Sequence, residues 1–417
     1  MNKPTGSKQN RYIIPLIILG MMFFVIGFGI GISGFLTPAL RSAFDLSTGQ
    51  AYLVTFAIFS AFVIFGRPSS WVIHKIGYRK SMVTSFLIMA VGMLVFVPSA
   101  TMVSFPLFLI ALFIGGIGNT LLQASVNPYV TILGPIESAA KRMSMMGIMN
   151  KLAWWLAPLF LGIFIDLQEV RLDDVILPFY LVAGILTVLG IGIYFAPLPE
   201  VVAEGEDVMD DESEADTSYS KNKTSILQFP HLLLGALALF IYVGIETLPM
   251  ASAIDFAKVS FGDVPNLERY SIYVTAGLVM GYLVGVVAIP KYMNQTQAMI
   301  IFSVLGILST LLLVTAPITY AFYGLLLVSF SNALMWPAIW PLALADLGRF
   351  TKAGSSILVM GIVGGAIIPL LFGNLVDLSQ NITGTESVKN YQNAYWIMMP
   401  CYAYLLYYAL KGHKIRR

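Results

Sequence analysis

Long apolar runs separated by short polar stretches dominate the chain. The first run, from about residue 12 to 40, is longer than the apolar core of a signal peptide and predicts a retained first span. Eleven further runs are each long enough to cross a bilayer as a helix. They cover residues 50–73, 78–98, 103–133, 143–165, 176–196, 229–256, 268–290, 295–315, 318–345, 352–377 and 392–411. The pattern therefore predicts an all-α membrane protein with twelve transmembrane helices.

One long polar segment, residues 197–227, separates the first six runs from the last six. It is rich in acidic residues between Glu204 and Asp216, and such a composition is typical of a disordered linker. We therefore expect an N-terminal six-helix bundle at residues 1–196, an acidic cytoplasmic linker, and a C-terminal six-helix bundle at residues 228–417.

The fifth and eleventh runs end with the same pattern, Pro-Leu-x-x-Gly-x-x-x-Asp. It occurs at Pro158–Asp166 and again at Pro369–Asp377, 211 residues later. A shared pattern at corresponding positions of the two halves indicates duplication, so we expect the two bundles to be pseudo-symmetric. Two related halves with a binding site near the bilayer midplane are the design of alternating-access transporters.

Composition and charge agree with this class and predict an orientation. Hydrophobic residues make up 58% of the chain, charged residues 11%, and the mean hydropathy is +0.81. With the N-terminus inside, the cytoplasmic loops and tails hold seventeen lysine and arginine residues and the external loops hold five. This bias predicts that both termini are cytoplasmic.

The sequence offers little for catalysis, for metal binding or for nucleic acid binding. It contains one cysteine, Cys401, and three histidines, without a Cys/His cluster at metal-ligand spacing, a phosphate-binding loop or a nucleophile elbow. The net charge of +2 does not suggest nucleic acid. We therefore expect a chain embedded in a lipid bilayer, with no enzymatic activity, no cofactor, no metal and no obligatory protein partner.

The stretch from Gly115 to Pro135 places amide side chains in a helix that otherwise belongs in lipid. Asn119, Gln123 and Asn127 are spaced four residues apart, so they share one helix face. Such a polar stripe must face protein or water. It indicates either the wall of a water-filled path for a polar solute or a buried hydrogen-bonded seam between helices.

Several stretches resemble a known transporter family. The turn at His74–Lys80 resembles the loop motif of the major facilitator superfamily, with His74 where that family has aspartate. The segment Leu121–Pro135 is similar to the fourth-span signature of the fucose–proton symporter family, in particular its glucose/galactose permease branch. Supporting stretches are Tyr242–Glu246, Gly354–Ser356 and Ile362–Pro369. The resemblance implies a twelve-helix sugar permease of the bacterial inner membrane, commonly driven by a cation gradient.

Two departures from the fucose-type pattern concern the coupling ion. Those symporters carry a glutamate where this chain has Gln123, and an Asn-Asp pair where this chain has Ile32–Leu36, which contains no acid. A glutamine side chain donates and accepts hydrogen bonds but does not titrate. The absence of both carboxylates therefore favours a facilitator, sodium coupling, or a proton site that has moved to Glu246.

Lys151 and Glu246 are charged residues within predicted spans, where an ionisable group is a functional candidate. Lys151 follows Asn150, which the resemblance places in the substrate cavity. We hypothesise that Lys151 and Glu246 pair between the two halves and that the pair opens and closes during transport. The alternatives are a static pair, or a Lys151 side chain that extends toward the cytoplasm.

Tryptophans form a second group of candidates: Trp154 in the fifth span and Trp336 in the tenth, each near a second tryptophan. Asn332 lies one turn before Trp336. The apolar C–H face of a pyranose ring packs well on an aromatic plane beside amide groups. The alternative is packing against lipid or an interfacial position.

We expect a secondary transporter that imports a neutral monosaccharide, a glucose- or galactose-like hexose, together with H+ or Na+. The predicted sugar ligands are Gln123, Asn127, Asn119, Asn150, Asn332, Trp336 and Trp154, and the predicted coupling residues are Glu246 and Lys151. Alternative functions are a permease for an N-acetylated amino sugar or for fucose, an uncoupled facilitator, and a nutrient receptor that does not transport. An exporter of apolar compounds is disfavoured because its cargo would leave the amides unpaired.

Overall fold

The computed structural model describes residues 12–43, 48–161, 163–164, 176–199, 201, 219–262, 268–385 and 387–416. The secondary structure of these residues is helical, and no strand occurs among them. The helices are α1 Ile13–Ala43, α2 Thr48–Thr101, α3 Phe105–Ile132, α4 Ala139–Leu161, α5 Ile176–Phe195, α6 Pro230–Phe261, α7 Glu268–Ala288, α8 Gln295–Thr315, α9 Ile318–Asn332, α10 Met335–Leu344, α11 Thr351–Met360, α12 Gly364–Thr383, α13 Val388–Tyr395 and α14 Met398–Leu410.

Nine stretches of the described residues are long and apolar enough to cross a membrane. One of them, Phe56–Thr101, has 46 residues. At 1.5 Å per residue it would be about 70 Å long, roughly twice the hydrocarbon thickness of a bilayer. It is interrupted at Gly77, whose φ of 77° and ψ of 171° are not helical. Two predicted spans therefore meet there, within the predicted loop. The all-α membrane class is confirmed, and the total of twelve helices fits the nine stretches but stays a prediction.

Three predicted spans, residues 318–345, 352–377 and 392–411, are not continuous α-helices, and the last is divided between α13 and α14 at residues 396–397. The first is divided into α9 and α10, and the second into α11 and α12 with a 3₁₀ turn at Gly361–Val363. Pro337 follows the first interruption, and a proline ring clashes with the carbonyl of the residue four positions before it. Glycines lie at the second interruption and favour helix less than other residues except proline.

The chain divides into two compact units. One contains Met1–Gly134, Met149–Thr217 and Gly348–Met360, and the other contains Pro135–Ile148, Ser218–Leu347 and Gly361–Arg417. The first part of α4 and all of α11 therefore group with the half of the chain to which they do not belong in sequence. Most of the acidic linker, residues 200 and 202–218, lies outside the described residues, as do Gly162 and Asp166 of the first repeat copy.

In the first unit, small residues let α1 approach the second part of α4. A Cβ at Gly27 would overlap with the carbonyl oxygen of Asn150, and a Cβ at Gly31 would lie 3.0 Å from the Cβ of Ala157. Glycines that are four residues apart share a helix face, so two backbones pack closely along this line. This contact fixes the position of the α4 segment that carries the predicted site residues.

Candidate functional site

The three amides of α3 are buried on one face of the helix, as their spacing predicts. The Gln123 side chain donates from Nε2 to Oδ1 of Asn119 at 3.1 Å. The Asn127 side chain donates from Nδ2 to the main-chain oxygen of Gln123 at 2.9 Å. Oδ1 of Asn127 is buried and has no hydrogen-bond partner in the described part of the chain. The face therefore keeps a desolvated acceptor that a hydroxyl group could satisfy.

The amide face lies next to an interrupted hydrogen-bond ladder. Pro128 has no N–H, so the carbonyl of Ala124 lacks the partner that an α-helix would supply. The hydroxyl of Ser355, from α11, donates to this carbonyl at 2.7 Å. Ser355 belongs to a stretch that supported the family resemblance, yet no sequence signal assigned it to the site. Pro128 within a helix was the available signal, because it indicates a carbonyl that needs a donor.

The second part of α4 contributes Asn150, Lys151 and Trp154 to the first unit. Asn150 donates from Nδ2 to the carbonyl of Phe23 in α1 at 3.2 Å. Lys151 is only 5% exposed, and its Nζ lies 5.1 Å from the ring centre of Trp154, a cation–π distance. Nε1 of Trp154 is buried without a hydrogen-bond partner among the described residues. This indole therefore keeps a free donor.

The second unit buries a carboxylate beside tyrosines. Glu246 of α6 is 8% exposed and accepts a hydrogen bond from the hydroxyl of Tyr282, in α7, at 3.3 Å. Tyr242 lies one turn before Glu246, and its buried hydroxyl has no hydrogen-bond partner in the described part of the chain. Tyr282 was not predicted, since it carries no motif. These groups place Glu246 in a buried polar cluster and not in lipid.

Tyr242 also borders an aromatic group in the same unit. The ring centres of Tyr242 and Trp336 are 6.1 Å apart, and those of Trp336 and Trp340 are 5.6 Å apart. Nε1 of Trp340 is buried with no hydrogen-bond partner in the described ranges. The predicted residue Trp336 thus lies between a tyrosine near the carboxylate and a second tryptophan with an unused donor.

Asn332 is fully buried where α9 ends. It donates from Nδ2 to the carbonyl of Ile245 at 2.8 Å and accepts from the hydroxyl of Tyr402 at 2.8 Å. The Ile245 carbonyl needs this donor because Pro249, four residues later, has no N–H. These bonds satisfy the buried amide of Asn332 without a bound solute, as in a hydrogen-bonded seam between helices. A role in sugar binding stays a prediction for Asn332.

The hypothesised pair of Lys151 and Glu246 joins residues that belong to different units, and it stays a prediction. Among the residues that the structure describes, no group of three or more His, Cys, Asp or Glu side chains forms a metal-binding cluster. The polar groups of both units are thus suited to hydrogen bonding, cation–π contact and proton binding.

Comparison with known proteins identifies the family of this chain. The sequence profile of the Major Facilitator Superfamily matches residues 19–371. The glucose/galactose transporter of Brucella abortus (strain 2308) is 32% identical over 98% of this chain and 96% of its own length. The L-fucose-proton symporter of Escherichia coli (strain K12) is 25% identical over 93% and 92%. The crystal structure of the transporter FucP in its outward conformation aligns with 96% of this chain and over 98% of the FucP chain, with a TM-score of 0.78 and 23% sequence identity.

Proposed function

We propose that this chain imports a neutral hexose of the glucose or galactose type by alternating access. The chain belongs to the major facilitator superfamily. It is a multi-pass membrane transporter and not an enzyme. The observation that carries the proposal is the buried amide face of α3, with an unpaired acceptor at Oδ1 of Asn127. Relatives that are named glucose/galactose transporters and align over nearly the whole chain support a hexose as substrate.

The first unit supplies both kinds of surface that a sugar needs. Gln123, Asn127, Asn119 and Asn150 would exchange hydrogen bonds with hydroxyl groups, since primary amides both donate and accept. Trp154 would pack against the apolar C–H face of the ring. The second unit offers a further aromatic face at Trp336, and Asn332, one turn earlier, donates to the Ile245 carbonyl of α6.

We propose H+ as the cation that is co-transported with the sugar, with Na+ as the alternative. The similarity to a fucose-proton symporter supports co-transport of a proton. Glu246 is the proposed proton site, because a buried carboxylate is costly as a bare anion and is stabilised by protonation or by a partner. Tyr282 holds its carboxylate. Lys151 is the proposed counter-charge that would compete with the proton.

We place the protein in the bacterial inner membrane with both termini in the cytoplasm. The bacterial relatives support the first statement. The excess of lysine and arginine in the predicted cytoplasmic loops supports the second. Cysteine accessibility labelling at residue 3 and residue 414 would test the orientation.

Uptake and counterflow in proteoliposomes test the proposed function. Labelled glucose, galactose, fucose and N-acetylglucosamine would be offered at several pH values, with and without Na+. We expect saturable counterflow of glucose or galactose, and accumulation that depends on a proton or sodium gradient. Binding without counterflow would replace the proposal with a non-transporting receptor, and counterflow without accumulation would replace symport with a facilitator.

An N-acetylated amino sugar is a second candidate substrate. The specific observation in its favour is the buried Nε1 atoms of Trp154 and Trp340, which have no partner among the described residues. Either N–H group is able to donate to the carbonyl of an acetyl group. Preference for N-acetylglucosamine over glucose in the same counterflow assay would favour this substrate.

A further inference from the structure

Among the prolines inside the described helices, three leave main-chain carbonyls that receive a side-chain donor from another helix. Pro128 in α3, Pro249 in α6 and Pro369 in α12 each lack an N–H, so the carbonyl four residues earlier is unpaired within its helix. An unpaired carbonyl in a buried helix is costly, so a donor from elsewhere is expected.

In each case a side chain from another helix supplies that donor. Ser355 donates to Ala124 at 2.7 Å and Asn332 donates to Ile245 at 2.8 Å. The contact of Thr247 with Gly365 is longer, at 3.4 Å, and Thr247 also donates to carbonyls of its own helix. The Ser355 bond is the shortest of the three, and it alone reaches the helix that carries the amide face.

Ser355 is placed for this bond by the packing of α11 within the first unit. A Cβ at Gly66 of α2 would overlap with the Met360 side chain and lie 3.2 Å from the carbonyl of Ser356, so α11 is held closely against α2. Ser355 is fully buried, whereas the neighbouring Ser356 donates to the carbonyl of Lys352 in its own helix. The two serines are therefore a matched pair, one bonded to α3 and one bonded locally.

Ala124 lies in the turn of α3 between Gln123 and Asn127. The direction of its carbonyl depends on how far the helix bends at Pro128, because proline both removes a hydrogen bond and pushes against this group. A donor fixed at 2.7 Å from the Ala124 oxygen therefore fixes the bend. The bend in turn sets the relative directions of the Gln123 and Asn127 amides.

We infer that Ser355 is a positioning residue for the substrate-binding turn of α3. Its hydroxyl donates a hydrogen bond to the Ala124 carbonyl, which Pro128 leaves without a helical donor, and so orients Gln123 and Asn127 toward a sugar. This inference rests on the proposed transport of a hexose. It assigns a role in substrate affinity to a residue that lies 231 positions away in sequence from the carbonyl it contacts.

The first test compares Ser355→Ala with Ser356→Ala in proteoliposome uptake of labelled glucose and galactose. Ser355→Ala leaves the Ala124 carbonyl buried without a donor, and we expect roughly a tenfold rise in KM with a smaller change in maximal rate. Ser356→Ala removes only a bond within α11, and we expect KM to stay within about twofold of the unsubstituted protein. Equal KM values in the two variants would overturn the inference.

The second test uses Pro128→Ala, which restores an N–H at residue 128 and so gives Ala124 a donor within α3. Ser355→Ala should then have little further effect, both on KM and on the thermal unfolding of the sugar-free protein in detergent. Additive effects of the two substitutions would overturn the inference.

If the unsubstituted protein transports no sugar, the proposed function fails. The unfolding temperatures of the single and double variants then still decide whether the Ser355 bond depends on Pro128. If Pro128→Ala does not fold, the comparison of the two serine variants still decides.

Discussion

Tyr282 contacts both the carboxylate of Glu246 and the backbone of Gly147. Its hydroxyl donates to Glu246 at 3.3 Å, while a Cβ at Gly147 would lie 2.6 Å from the Tyr282 ring. All three residues belong to the second unit, although Gly147 comes from the first part of α4. The proposed coupling carboxylate is therefore connected through one aromatic ring to the first part of α4, which belongs to the same unit.

Glu246→Gln is expected to separate exchange from accumulation. A glutamine keeps the shape and accepts the Tyr282 hydrogen bond, but it does not bind and release a proton. We expect counterflow of labelled hexose to remain within about threefold, and uphill accumulation driven by a proton gradient to fall to near the equilibrium level. Glu137→Gln, at an exposed position, is the control. If both activities of Glu246→Gln match those of the control, Glu246 is not the coupling site.

Gly147→Ala is expected to impair transport because the added methyl group requires the Tyr282 ring to move. A contact of 2.6 Å is too short for carbon atoms, and the shift would weaken the bond to Glu246. We expect the accumulation ratio to fall several-fold, since overpacking of this kind typically costs about 1–3 kcal/mol. Gly192→Ala is the matched control, since a Cβ at that helical glycine meets nothing within 4 Å. A Gly147→Ala protein that accumulates sugar like Gly192→Ala would show that the ring is not held by this contact.

Local patterns in the sequence predict the helices and the amide face, because both depend on short spacings. The apolar runs mark the helices, and residues four apart on a helix necessarily share a face, as Gln123 and Asn127 do. The loop at Gly77 was also predictable, since a glycine lies between two runs that are each long enough for one span.

The remaining parts of the site depend on which helices meet, and hydropathy carries no such information. The donor to Ala124 is 231 residues away in sequence, and the donor to Ile245 is 87 residues away. The interruptions that produce α9–α10 and α11–α12 were missed for a related reason. Apolar runs continue through them, because proline and glycine change the hydrogen bonding of a helix and not its hydropathy.

Asn127→Ala and Asn332→Ala are expected to affect different properties, KM for hexose in the first variant and stability in the second. Asn332→Ala removes the side-chain donor to the Ile245 carbonyl and the 2.8 Å acceptor of the Tyr402 hydroxyl in a buried region, so the free energy of unfolding should fall by about 2–4 kcal/mol. Asn127→Ala removes an unpaired acceptor and one hydrogen bond to Gln123 within the same helix, so stability should fall less than in Asn332→Ala while KM for hexose rises about tenfold. Thermal unfolding in detergent and uptake kinetics measure the two effects. A loss of stability for Asn127→Ala as large as for Asn332→Ala would assign Asn127 to helix packing.

His413 is expected to make stability depend on pH. It follows the last predicted span, in the short 3₁₀ turn at Gly412–Lys414, and its Nδ1 is 3.0 Å from the carbonyl of Tyr408. Burial lowers the pKa of His413 below its ordinary value, and the positive charges of Lys414 and Arg416 lower it further, against the Tyr408 hydrogen bond. The folded protein therefore binds a proton at His413 less readily than the unfolded chain, in which the pKa is about 6.5.

The lowered pKa of His413 in the folded state therefore contributes to stability. This contribution is complete above about pH 6.5, and it is lost as the pH falls through 6.5 toward the lower pKa of the folded state. We expect the unfolding temperature to decrease between pH 8 and pH 5.5, and to decrease less in His413→Gln. Other groups also titrate in this range, so the comparison with His74→Gln, at an exposed position, isolates the effect of the buried ring. An equal pH response of the two variants would mean that protonation of His413 does not limit the stability of the C-terminal turn.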